Sequence, residues 1–137
     1  MGSSTGLRAS PPTKIEVDLP PGRDAPAQAR RVLDRLDGLD DATREDARLV
    51  VSELVGNSVR HADLRPDDHI RLEVEDGSDA VRIRVVDPGP GFEPEVLAGP
   101  SLRASQWGLF LVDRIASEWG VASEGTTAVW CEIDRRS

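Results

Sequence analysis

Val50-Val51-Ser52-Glu53-Leu54-Val55-Gly56-Asn57-Ser58-Val59-Arg60-His61-Ala62 carries two patterns at once. With Ala47 just ahead of it, apolar residues at Val50, Val51, Leu54, Val55 and Val59 recur at helical spacing. Glu53, Asn57 and His61 fall four apart, so they stack on one helix face, one turn above another. A carboxylate, a carboxamide and an imidazole in a row can take a proton, hold a metal ion and orient a phosphate. A solvated stripe on an amphipathic helix has the same pattern.

Upstream, residues 1–12 are mostly Gly, Ser, Thr and Pro and read as a disordered leader. Thr13 to Leu19 alternates Ile15, Val17 and Leu19 on one face, which predicts a strand ended by Pro20-Pro21-Gly22. Asp24 as N-cap and Pro26 in the first turn open a helix that runs to about Asp37 and closes at Gly38. Asp40 or Asp41 caps the second helix, which ends near His61-Ala62.

Downstream, His69–Glu75 and Val81–Val86 alternate around the turn 76–79 and predict an antiparallel hairpin. It runs into Asp87-Pro88-Gly89-Pro90-Gly91-Phe92. Asp87 at a strand end, with glycines behind it, reads either as turn chemistry or as a carboxylate on the floor of a pocket. After a loop, Trp107 to Trp119 is expected as a third helix stopped by Gly120. Val121–Ser123 and Thr126–Ile133 are expected as two closing strands. The order β-α-α-β-β-α-β-β predicts an α+β fold: a mixed, mostly antiparallel sheet covered on one face by helices.

The 137 residues make one domain, 13–137 behind the leader, large enough to bury a core without disulfides. A net charge of −8 argues against nucleic acid or an anionic membrane as a direct partner and is compatible with a basic protein surface. The single Cys131 excludes an internal disulfide and reads as a buried, inert thiol. With no signal peptide and no run of apolar residues long enough to span a bilayer, the expected location is cytoplasmic.

Four motifs in order carry a resemblance: Glu53 to Ala62, Asp87 to Phe92, Trp107 to Asp113 with Ser117 to Gly120, and Gly125 to Ile133. Together they resemble the GHKL ATPases, and more closely the bacterial anti-sigma-factor serine kinases of that superfamily. The resemblance spans about residues 14–134 and implies a Bergerat-type two-layer α/β sandwich. It implies ATP and Mg²⁺ as cofactors, with Glu53 as general base toward a seryl or threonyl hydroxyl and Asn57 as the Mg²⁺ ligand. It assigns Asp87 to the adenine amine, Gly89 and Gly91 to room for the base, and Gly108 to the phosphates. Arg30 matches a partner-contacting position, and a solvated helix arginine reads as well there. His61 belongs to the first motif as a structural imidazole. The implied partners are a sigma factor, an anti-anti-sigma protein and a second copy in a homodimer, with the edge of the first strand open to pairing.

The sequence departs from the family at two places. Gln106 stands where relatives have the first glycine of a GxG phosphate loop. Relatives also place a threonine beside the adenine-reading Asp; Thr126 and Thr127 are candidates, but aligning Val129-Trp130 with the family's Val-Trp puts Ala128 there. That alignment removes one ligand hydrogen bond, worth about 0.5–1.5 kcal/mol. Arg103 in the intervening short loop is within reach of a γ-phosphate or is solvated. Two functions follow as expectations: an anti-sigma protein kinase that phosphorylates its antagonist, or a nucleotide-independent sigma-binding module.

Overall fold

The computed structural model describes residues 13–62, 64–89, 109–123 and 125–135. Among the described residues five strands form one sheet: β1 (Thr13–Leu19), β2 (Ile70–Asp76), β3 (Ala80–Asp87), β4 (Glu118–Ser123) and β5 (Thr127–Asp134). Their order across the sheet is β1-β2-β3-β5-β4. All four ladders are antiparallel, so among the described residues the sheet is not mixed. Among the described residues three helices accompany it: α1 (Ala25–Val32), α2 (Asp41–His61) and α3 (Phe110–Ile115). The architecture is α+β, as the alternation of the strands requires.

Strand alternation divides the sheet into two faces. Leu19, Ile70, Leu72, Val74, Val81, Ile83, Val85, Val129, Cys131 and Ile133 are buried on one of them. Ala29, Val32 and Leu33 from the α1 region and Ala47, Val50, Val51, Leu54 and Val55 from α2 complete the same core. Each fully buried Leu, Ile or Val contributes about 1.5–3 kcal/mol of transfer free energy. The other face carries ion pairs, with Arg71 against Glu16, Asp18 and Glu73, and Arg82 against Glu75 and Glu132. These pairs are largely exposed, so each stabilises the fold little.

The helix ends show where local chemistry acts. Asp40 caps α2: its Oδ2 accepts from the Thr43 N–H at 3.0 Å and its Oδ1 accepts from the Thr43 hydroxyl at 2.7 Å. Asp24 stands at the N-cap of α1 but makes no side-chain cap bond there. α1 tightens into a 3₁₀ turn over Leu33–Arg35 rather than continuing to Asp37. Arg44 of α2 donates to the carbonyls of Leu33, Leu36 and Leu39, satisfying the connection between the helices.

The third helix differs from expectation. Its described part stops at Ile115, Ala116 is extended, and strand β4 begins at Glu118. The Ser117 N–H and hydroxyl both donate to the Glu132 carbonyl, at 2.8 and 3.1 Å, and draw the chain onto β5. Trp119 therefore belongs to β4, its indole N–H reaching back to Asp113 at 3.0 Å. Gly120 is not a helix stop. It pairs with Trp130 across the ladder, and a Cβ there would lie 2.9 Å from the indole. The periodicity of Ile115, Ala116 and Trp119 imitated a helix because a short helix and a strand abut on the same core.

Candidate functional site

Asp87 ends β3 with the inward parity of Val81, Ile83 and Val85, which places a carboxylate under the helical layer. It is 5% exposed. The last turns of α2 meet it there. The Ser58 hydroxyl donates to Asp87 Oδ2 at 2.6 Å, and the Gly89 N–H donates to Oδ1 at 2.9 Å. Each carboxylate oxygen has two acceptor sites, so Asp87 retains capacity for a further donor. That suits it to an amine presented by a ligand.

Thr127, the first residue of β5, stands opposite Asp87 in the ladder and is buried. Its hydroxyl donates to the Gly89 carbonyl at 3.1 Å. Ala128 pairs with Val86 instead. The residue beside Asp87 is thus Thr127, and the alignment that put Ala128 there is off by one. Because strand side chains alternate, that single step moves a residue to the other face of the sheet.

Gly89 makes the turn after Asp87 possible for a packing reason. A Cβ would lie 2.8 Å from both the Cβ and the carbonyl oxygen of Ala62. The carboxy-terminal end of α2 therefore rests directly on the Asp87-Pro88-Gly89 backbone.

Glu53 and Asn57 lie one turn apart on α2, with Glu53 half-buried and Asn57 buried. Arg60 joins them. One of its guanidinium nitrogens, Nη2, donates to Asn57 Oδ1 at 2.8 Å and lies 3.6 Å from Glu53 Oε2. The other, Nη1, sits 3.1 Å from where a Cβ on Gly56 would project. Arg30 of α1 donates from Nη1 to the Ser52 hydroxyl at 2.7 Å, so it is held against the helix that bears Glu53. Burial, with Glu132 adding to it, pushes the Cys131 thiol up to about 12, and Cys131 lies in the core away from these groups.

Of the residues expected at the site, the structure brings Asp87 and Gly89 to the end of α2, the helix that also carries Glu53 and Asn57. Gly91, Gly108, Gln106, Arg103 and the side chain of His61 lie outside the described residues. Sequence reasoning missed Ser58 and Arg60. Ser58 had a signal: with Val51, Leu54 and Val55 it occupies the apolar stripe, where a hydroxyl requires a buried partner. Arg60 gave none beyond its place one turn after Asn57.

No group of three His, Cys, Asp or Glu able to hold a metal ion occurs among the described residues. A metal here would rest on hard oxygen donors such as Asn57 Oδ1 and on a ligand's own oxygens, which is the donor chemistry of Mg²⁺. No described helix is long and apolar enough to cross a membrane.

A model of the histidine kinase-like ATPase domain family matches residues 20–132. Among solved structures, the chain resembles one described as the RsbU and RsbW domains of Rv1364c from Mycobacterium tuberculosis. The TM-score is 0.67 at 23% identity, over 93% of this chain and 34% of that one. The chain thus spans about a third of that solved chain. A comparison with curated proteins returns no match.

Proposed function

The chain belongs to the histidine kinase-like ATPase domain family, and from that premise we propose that it binds ATP with Mg²⁺ and acts as an anti-sigma factor with protein serine/threonine kinase activity. The observation that carries the nucleotide reading is Asp87, a buried carboxylate oriented by Ser58 and Gly89 with acceptor capacity left for the adenine amine. Likeness to a structure containing an RsbW domain supports the fold on which the anti-sigma reading rests.

In this reading Gly91 gives the adenine its room, Gly89 lets the turn that orients Asp87 pack against Ala62, and Gly108 presents backbone N–H to the phosphates. Thr127 holds the turn that carries Gly89. Mg²⁺, when bound with the nucleotide, neutralises phosphate charge, and Asn57 Oδ1 is its protein ligand. Glu53 accepts the proton of a seryl or threonyl hydroxyl on the partner. The hydroxyl oxygen bonds to the γ-phosphorus, the bond from that phosphorus to the bridging oxygen breaks, and ADP leaves. The phosphorylated partner is an anti-anti-sigma protein, and the silenced partner is a sigma factor that engages the α1 side, where Arg30 sits on Ser52. A homodimer through the β1 edge, action in the cytoplasm and a role in transcription regulation belong to the same reading. The alternative, a nucleotide-independent sigma trap, rests on Gln106.

Calorimetric titration with ATP and Mg²⁺ tests the proposal. Binding in the wild type that is lost in Asp87→Asn supports the pocket. Phosphate transfer to an antagonist that survives Glu53→Ala would contradict the base, and absence of ATP binding alongside sigma capture would favour the trap.

A further inference from the structure

The sheet ends on one side at β1, which among the described residues pairs with β2 alone. The half of its backbone N–H and C=O groups that points away from β2 is therefore open to another strand. The helical layer does not close over this edge. Ile15 and Val17 have the inward parity of buried Leu19 yet are only half-buried. Between β1 and α1 runs a groove of about 340 Å³, with Val17 and Leu19 on one wall and Gln28, Arg31, Val32 and Arg35 on the other. Arg31 and Arg35 are exposed, and among the described residues neither guanidinium has a hydrogen-bond or ion-pair partner. Asp18 also borders the groove, but its carboxylate pairs with Arg71 on the outer face, at 3.4 Å. We propose that this groove takes an extended acidic segment of a partner protein, which adds to the sheet beside β1 and sets its carboxylates against Arg31 and Arg35.

The occupant follows from what the groove offers. Main-chain bonds to β1 require an extended chain, and alternation puts every second side chain of that chain on the helix side. There it meets half-buried apolar residues, Ile15 and Val17, and two guanidinium groups four residues apart. Carboxylates satisfy those groups through charge-assisted, bidentate bonds. A second copy of this chain fits less well. Its own β1 presents Thr13, Ile15, Val17 and Leu19 on that face, none of them charged, and leaves both arginines without a partner. The homodimer proposed above uses the same edge, so the added segment and the second copy exclude each other. The inference is independent of the nucleotide reading, since it uses none of the residues assigned to ATP.

The test titrates the full chain with two short, end-blocked peptides, one alternating glutamate with valine and the other lysine with valine. Amide NMR shifts report affinity, and hydrogen exchange of the β1 amides reports strand addition. The glutamate peptide is expected to bind about tenfold more tightly or better, although the net charge of −8 favours the lysine peptide. It should slow exchange at alternate β1 amides, those that face the open edge. Arg31→Glu combined with Arg35→Glu should reverse the preference; both side chains are exposed, so the core is left as it is. Equal affinity for the two peptides overturns the proposal, as does a preference that survives the double variant. Binding that leaves the β1 amides unprotected also overturns it, because the peptide then lies on the helix alone. A glutamate peptide that fails to bind, with β1 protection rising with protein concentration in its absence, would overturn it and give the edge to a second copy.

Discussion

Ser58 and Asp87 are 29 residues apart in sequence and meet at 2.6 Å, the serine hydroxyl donating and the carboxylate accepting. Both are buried. The bond ties the last turns of α2 to the end of β3 and fixes which way the carboxylate faces. Ser58→Ala leaves one carboxylate oxygen short of a donor in a buried place. The expected loss is about 1–3 kcal/mol of stability. It should appear in urea unfolding as a lower midpoint with unchanged slope. Under the proposed function ATP affinity falls with it, because Asp87 is freed to rotate.

Gly89→Ala tests the close approach of helix and turn. The added methyl meets Ala62 Cβ and a backbone carbonyl, both at 2.8 Å, and neither is the end of a flexible side chain. The turn or the helix end must move. Overpacking of this kind costs about 1–3 kcal/mol, expected as a fall in Tm of about 3–10 °C by calorimetry. A Tm equal to wild type would mean that the turn relaxes freely.

Much of this arrangement was legible in the chain itself. Alternation in Thr13–Leu19 and in the β2–β3 hairpin set the strands and the buried face, and the stripe through α2 set the helix that covers it. The pairing of Asp87 with Thr127 was not legible, because alignment through Val129-Trp130 fixes the register only to within a residue. The β4 boundary was hidden for another reason. Trp119 packs on the core from a strand as readily as from a helix, and only the bonds of Ser117 to the Glu132 carbonyl reveal which. The position of Arg60 depends on a side-chain conformation over Gly56, which a sequence does not record.

The cap of α2 gives an acid-side prediction. The Thr43 hydroxyl and N–H hold the Asp40 carboxyl below its usual value. A carboxyl depressed in the folded state stabilises the fold above its unfolded pKa, and that contribution is lost as pH falls through the folded value. Asp40→Asn keeps a capping oxygen but not the charge. Its Tm deficit relative to wild type should be present at neutral pH and shrink in acid. A deficit that stayed constant down to pH 2 would show that the carboxylate charge contributes nothing at this cap.

The alkaline limb belongs to Cys131. Burial, and secondarily Glu132, raise this thiol from 9.0 to about 12 in the folded protein. The unfolded chain ionises it near the ordinary value, so the folded state binds the proton more tightly. Its stabilising contribution is complete below about pH 9 and is lost as pH rises toward 12, at up to about 1.4 kcal/mol per pH unit. The attribution is unusually clean, because the chain has no tyrosine and Lys14 is its one lysine. Urea unfolding at pH 8 to 11 should show wild-type stability declining, and Cys131→Ala, though weaker at neutral pH, declining less. Iodoacetamide should label the native thiol at pH 8 only as fast as the core opens, with labelling accelerating in step with urea. Rapid labelling without urea would show that β5 exposes the thiol in the native state and that its burial is not what holds the proton.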